Sequence, residues 1–162
     1  MKKVLLVLFM VLILCGCGKE EVNHDFDEIE YIVPDEFEET DGSIYSKSYY
    51  YRDDDAYCYI YVRPDEKDLY NEDKEVWFKN YVRLSLNDKV SDLTELDVNG
   101  KKVLFVEKES DGDITKYYAF ESSNYYYLLE YEINRYNEEN ETYKNSPCYT
   151  LVDEIINSVK TK

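Results

Sequence analysis

Between residues 91 and 133 the chain is interrupted by tight-turn residues at Asn99-Gly100, Asp111-Gly112 and Ser122-Ser123-Asn124. Asn and Gly both accept positive φ, so Asn-Gly between apolar runs is the strongest short signal for a β-hairpin; Asp-Gly is close behind. The runs they join, residues 91–98, 101–108, 114–120 and 125–133, read as four strands. Strands joined by such short turns pair antiparallel with their sequence neighbours, because a parallel pair needs a crossover of a dozen residues or more. This half of the chain is therefore an antiparallel meander. The stretch VLFV, residues 103–106, is apolar throughout and predicts a central strand covered on both faces.

The flanking sequence supplies the cover. Residues 44–51 form a Tyr-rich strand, and residues 52–55 a turn that carries Asp53, Asp54 and Asp55. Residues 56–62 then alternate. Ala56, Cys58, Ile60 and Val62 share one face, and Tyr57, Tyr59 and Tyr61 share the other. Pro64 is expected to end that strand. Residues 65–88 follow a helical period, with Trp77, Phe78, Tyr81, Val82 and Leu84 on one stripe and Lys79, Asn80 and Arg83 opposite. Asp65, Glu66 and Asp68 at its start suit the positive end of a helix dipole. Further on, Ser146-Pro147 is a cap with Pro at the first helical position. Cys148, Leu151, Val152, Ile155, Ile156 and Val159 then form the apolar stripe of a last helix. The expected fold class is α+β: an antiparallel sheet of about six or seven strands with two packing helices. One helix stands between the third and fourth strands and one at the C-terminal end.

The first residues carry an address. Lys2 and Lys3 precede an apolar run over residues 4–14, too short to cross a bilayer as a helix, which needs about 20 residues. Basic start and short apolar run match a secretory signal. The run ends in Leu14-Cys15-Gly16-Cys17, which resembles the bacterial lipobox. That resemblance implies cleavage between Gly16 and Cys17, a diacylglyceryl thioether on Cys17, and acylation of the new N-terminus. Cys15 would leave with the signal. A plain signal peptide or an uncleaved anchor is the other reading. Acyl chains gain about 0.8 kcal/mol per buried methylene, so two or three of them hold a domain at a membrane. The expected division is a signal over 1–16, a lipidated Cys and polar tether over 17–30, and a single α+β domain over 31–162. The expected location is the extracytoplasmic face of a bacterial cell membrane. His24, the only histidine, falls in the tether.

The order of elements, the Tyr-rich hairpins and the opening VPDEFEE at residues 33–39 together resemble the PsbP/Mog1-like α+β sandwich that recurs in bacterial lipoproteins. Those proteins often show Pro-x-Gly-Phe where this chain has Glu36 in place of the Gly. The resemblance covers residues 31–159. It implies no shared catalytic residues, so no role passes to a numbered position. Cystatin-like and NTF2-like sheets are the alternative folds.

The chemistry is defined largely by what is missing. A net charge of −17 repels phosphate backbones, which argues against nucleic acid as a ligand. With 19 Tyr, the chain is too aromatic for a disordered composition. No GxSxG, no Gly-rich phosphate loop and no histidine within the domain is available for nucleophilic catalysis. Residues 107–118, EKESDGDITKYY, imitate the early positions of a calcium loop. Tyr118 stands where the bidentate Glu belongs, so the segment reads as a hairpin turn. Asp53 to Asp55 read as a solvated turn, and no metal or cofactor is expected. Cys58 and Cys148 form a candidate disulfide, worth about 4–5 kcal/mol in the loop-entropy account; the other reading is two buried free thiols. Tyr57, Tyr59 and Tyr61 are a candidate binding surface, since Tyr offers an apolar body and a polar tip; otherwise they pack beneath a helix. The expected function is a non-catalytic binding module, attached to the membrane by its lipid and meeting an envelope protein or cell-wall ligand. The alternative is a hydrolase acting at the cell envelope through two of the 36 carboxylates.

Overall fold

A computed structural model describes residues 22–26, 28–41, 47–85, 91–110, 113–136 and 144–162. Cleavage and lipidation at Gly16 and Cys17, and the turn at Asp111-Gly112, lie outside the described residues. In chain order the elements are β1 (Val22–Phe26), β2 (Ile29–Val33), β3 (Glu38–Thr40), β4 (Lys47–Arg52), β5 (Ala56–Glu66), α1 (Lys74–Ser85), β6 (Thr94–Val98), β7 (Lys101–Ser110), β8 (Asp113–Glu121), β9 (Tyr125–Arg135), α2 (Pro147–Ser158) and β10 (Lys160–Thr161). A single 3₁₀ turn over Lys67–Leu69 follows β5.

The meander forms as its turns dictate. Asn99 and Gly100 take φ of 54° and 77°, the left-handed pair that a two-residue hairpin turn requires. β6, β7, β8 and β9 pair antiparallel in sequence order. The non-local step is β5 on β9, an antiparallel ladder running from Ala56↔Arg135 to Glu66↔Tyr125. The result is a seven-stranded sheet in the order β3-β4-β5-β9-β8-β7-β6.

Each face of this sheet has its own core. On one face Cys58, Ile60 and Val62 of β5 and Leu129, Tyr131 and Ile133 of β9 meet α2, whose Cys148, Leu151, Val152, Ile155 and Ile156 are buried. Beside α2 lies a small sheet of β1, β2 and β10, which adds Ile29, Tyr31 and Val33 to the same core. On the opposite face α1 places Trp77, Phe78 and Val82 on Leu104, Val106, Tyr117, Ala119, Tyr126 and Leu128.

Several expectations are corrected. VLFV is covered on both faces, Val103 toward α2 and Leu104 toward α1, yet β7 is one strand in from the edge; β9 is the central strand. The strand before α1 does not stop at Pro64. Pro64 stays in the ladder with β9, opposite Tyr127, and the strand runs on to Glu66. Asp65 and Glu66 accordingly belong to β5. The α1 N-terminus is capped by Asp73, whose carboxylate accepts from the Val76 N–H at 2.9 Å. β2, over Ile29–Val33, lies in the small sheet, and β3 is the main sheet's seventh strand. The stretch expected as tether holds β1 and the start of β2, which pair from Val22↔Val33 to Phe26↔Ile29.

Candidate binding face

α1 packs on β9, β8 and β7 and meets β5 at its far end, where Trp77 reaches Asp65 and Tyr81 reaches Arg63. Toward β4 and the start of β5 the described face carries the strands' own tyrosine rings. The alternation of β5 puts Tyr57, Tyr59 and Tyr61 here, each half-buried, because Ala56, Cys58, Ile60 and Val62 are drawn to the other face by full burial. Their rings run along the strand: Tyr57 stands edge-on to Tyr59 at 6.1 Å, and Tyr59 stacks on Tyr61 at 5.9 Å with 17° between planes. Tyr50 of β4, opposite Tyr59 in register, closes to 4.9 Å from it. Tyr136 meets Tyr57 at 5.3 Å. Such offset and edge-on arrangements match the quadrupoles of the rings.

β9 adds two carboxylates. Glu132 lies opposite Tyr59 and Glu130 opposite Tyr61. Burial, reinforced by Glu132 two residues along, pushes the Glu130 carboxyl up to about 7, against the hydrogen bond it accepts from Tyr117 on β8. Glu132 is raised too, by burial and then by Asp113. Glu130 and Glu132 were not singled out by sequence. The available signal was the alternation of LLEYEINR, which gives Leu129, Tyr131 and Ile133 to the core and the acids to the other face.

Where β5 passes α1 the face deepens into an open cavity of about 370 Å³, lined by residues that include Arg63, Asp65, Tyr70, Trp77 and Tyr81. Arg63 donates to both carboxylate oxygens of Asp65, at 3.0 and 3.2 Å, and its guanidinium lies 5.1 Å from the Tyr81 ring centre. The Trp77 indole N–H donates to the same carboxylate at 3.1 Å.

The other candidate positions lie elsewhere. Cys58 and Cys148 are brought together beneath α2, both fully buried and both free thiols in hydrogen-bond contact. The structure holds the pair in its thiol form, with the two candidate positions side by side. Burial pushes the Cys58 thiol up. Asp53 is occupied structurally: its carboxylate accepts from the N–H groups of Asp55 and Ala56 and from the Ser146 hydroxyl. Among the described residues, no group of three or more His, Cys, Asp or Glu could hold a metal ion.

A seven-stranded antiparallel sheet with one helix on each face is the Mog1/PsbP-like α+β fold. A point mutant of the protein Mog1 superposes with a TM-score of 0.56 at 17% identity, over 90% of this chain and 96% of that one. LpqN of Mycobacterium tuberculosis, described as involved in cell envelope biogenesis, gives 0.51 at 12% identity over 88% of this chain and 91% of LpqN. A protein of Bacteroides thetaiotaomicron VPI-5482 gives 0.51 at 11% identity over 83% of this chain, which spans only 45% of that longer protein. These likenesses establish the fold. No protein-family model matches the chain, and no curated protein matches it.

Proposed function

We propose that the chain is a lipid-anchored, extracytoplasmic binding module without catalytic activity, which presents the tyrosine ladder of β4 and β5 to an envelope partner. The observation that carries this reading is the ladder itself. Four tyrosines, Tyr50, Tyr57, Tyr59 and Tyr61, remain half-exposed on the β4–β5 side of the sheet face that also carries α1. Tyrosine is enriched in interfaces because it gives a large, rigid contact at small entropic cost. The lipobox-like Leu14 to Cys17 supports the anchor, and the likeness to LpqN agrees with an envelope setting.

The anchor is tested by fractionating cells that express a Cys17→Ala variant, with mass analysis of the mature N-terminus. The variant is expected to leave the membrane fraction unprocessed; processing and sedimentation like the parent would refute the anchor. The ladder is tested by crosslinking and recovery from membranes with Tyr57, Tyr59 and Tyr61 replaced by Ala. Loss of specific partners is expected, and an unchanged set would refute the ladder as the contact surface.

The hydrolase reading keeps one favourable observation. Glu130 holds its proton near neutrality and Glu132 lies one pleat away, a pairing of acid and carboxylate that glycoside cleavage uses. Neither acid lines the 370 Å³ cavity. Release of reducing ends from cell-wall glycan, abolished by Glu130→Gln, would establish it; no release by the wild-type protein would remove it.

A further inference from the structure

The ladder and the two carboxylates form one repeating strip. Side chains at alternate strand positions repeat about every 7 Å, and the rings follow with spacings of 6.1 and 5.9 Å. Glu132 and Glu130 repeat in step on the neighbouring strand, each directly across from a ring. Directly opposed side chains stand about 5 Å apart, so each carboxylate borders an aromatic ring. Neither acid is acted on by a cation among the described residues: the groups that shift Glu130 are Glu132 and Tyr117, and the group that shifts Glu132 is Asp113. The strip is bounded by Arg52, opposite Tyr57, and by Arg63, whose charge is already engaged by Asp65. What lies between is electron-rich ring surface with two acids that no cation among the described residues offsets.

We propose that this strip of β5 and β9 docks an extended, cationic segment of a partner protein, with Lys or Arg at alternate positions. The inference rests on the binding-module reading and specifies its ligand chemistry. An extended segment carries like-facing side chains at the same repeat of about 7 Å as Glu132 and Glu130. Each cation then meets an acidic side chain on one side and a tyrosine ring on the other; Glu130 gives up its proton as the cation docks, so that an ion pair joins the cation–π contact. The chain as a whole, at a net charge of −17, steers such a segment inward.

The test is fluorescence anisotropy at fixed, near-physiological salt with a labelled peptide of four Arg-Thr repeats. A second peptide has the same composition in two blocks, four Arg and then four Thr. The alternating peptide is expected to bind at least about threefold more tightly, the return from one properly placed cation. Glu130→Gln with Glu132→Gln is expected to weaken it about fivefold to tenfold. Tyr59→Leu weakens it about threefold, and Tyr59→Phe, which keeps the ring face, leaves it unchanged. Asp153→Asn with Glu154→Gln, which removes two exposed charges from α2 instead, is the control and should change affinity less than about twofold. Equal binding of the two peptides, or an equal loss in the α2 control, would overturn the proposal by reducing the attraction to net charge. If that happens while the Tyr57, Tyr59 and Tyr61 variants still lose their membrane partners, the binding-module reading stands and only the cationic ligand falls.

Discussion

The Tyr131 hydroxyl donates to the Cys148 carbonyl oxygen over 2.6 Å, joining the central strand to the first turn of α2 inside the core. Both residues are fully buried, and the same hydroxyl reaches the Cys58 sulfur at 3.2 Å. Tyr131→Phe keeps the ring and removes the hydroxyl's two contacts. It leaves a buried carbonyl short of one partner, and the expected loss is about 1–2 kcal/mol in urea unfolding with an unchanged m-value.

Asp53 and Ser146 couple the β4–β5 turn to the start of α2. The Ser146 hydroxyl donates to Asp53 at 2.5 Å and accepts from the Cys148 N–H at 3.0 Å. Ser146→Ala removes the cap and is expected to cost about 1 kcal/mol. Asp53→Ala also orphans the turn N–H groups of Asp55 and Ala56, at about 2 kcal/mol. Because the two side chains share a bond, the double variant should fall short of the sum by about 0.5 kcal/mol or more. Strict additivity in the thermodynamic cycle would contradict the contact.

These links also mark where sequence reading stops. The hairpins of residues 94–135 and the buried stripe of α2 were legible because their causes are local: turn residues with positive φ, a Ser-Pro cap, and a period of 3.6. The pairing of β5 with β9 was not legible, since it joins strands separated by a helix and three hairpin strands. Without that register Tyr59 and Glu132 are merely two residues on different strands. Pro64 misled for the same reason: a proline stops a strand only where its N–H would have had a partner, and the long register with β9 carries β5 through it to Glu66. The tyrosine face was visible in the alternation of residues 56–62. Its partial exposure depends on how far α1 extends over the sheet.

Glu130 predicts a pH dependence of unusual sign for a carboxylate. Its folded value lies near 7 and its ordinary value at 4.5, so between these the folded state binds more protons than the unfolded one. This contribution therefore favours folding at pH 4.5 and is lost as pH rises through 7. Glu130→Gln should accordingly be more stable than wild type at pH 8, by an amount on the order of 1–3 kcal/mol, with the gap closing toward pH 4.5. Urea titrations across that range decide it. A constant gap, or a variant destabilised at pH 8, would show that the carboxylate is not held against its charge.

Cys58 and Cys148 make the last prediction. Both are fully buried, and burial keeps the Cys58 thiol from forming the reactive thiolate. Folded protein should therefore resist iodoacetamide at pH 8 at both positions, and labelling of the native state would contradict the packing under α2. Unfolding without reductant then distinguishes two chemistries. In protein secreted into an oxidising compartment the expected number of labels is zero, because adjacent thiols there close into a disulfide. Reductant should in that case lower stability by about 4–5 kcal/mol in the loop-entropy account. Two labels from secreted protein would assign the pair a packing role alone, that of two small apolar side chains sealing the contact between β5 and α2.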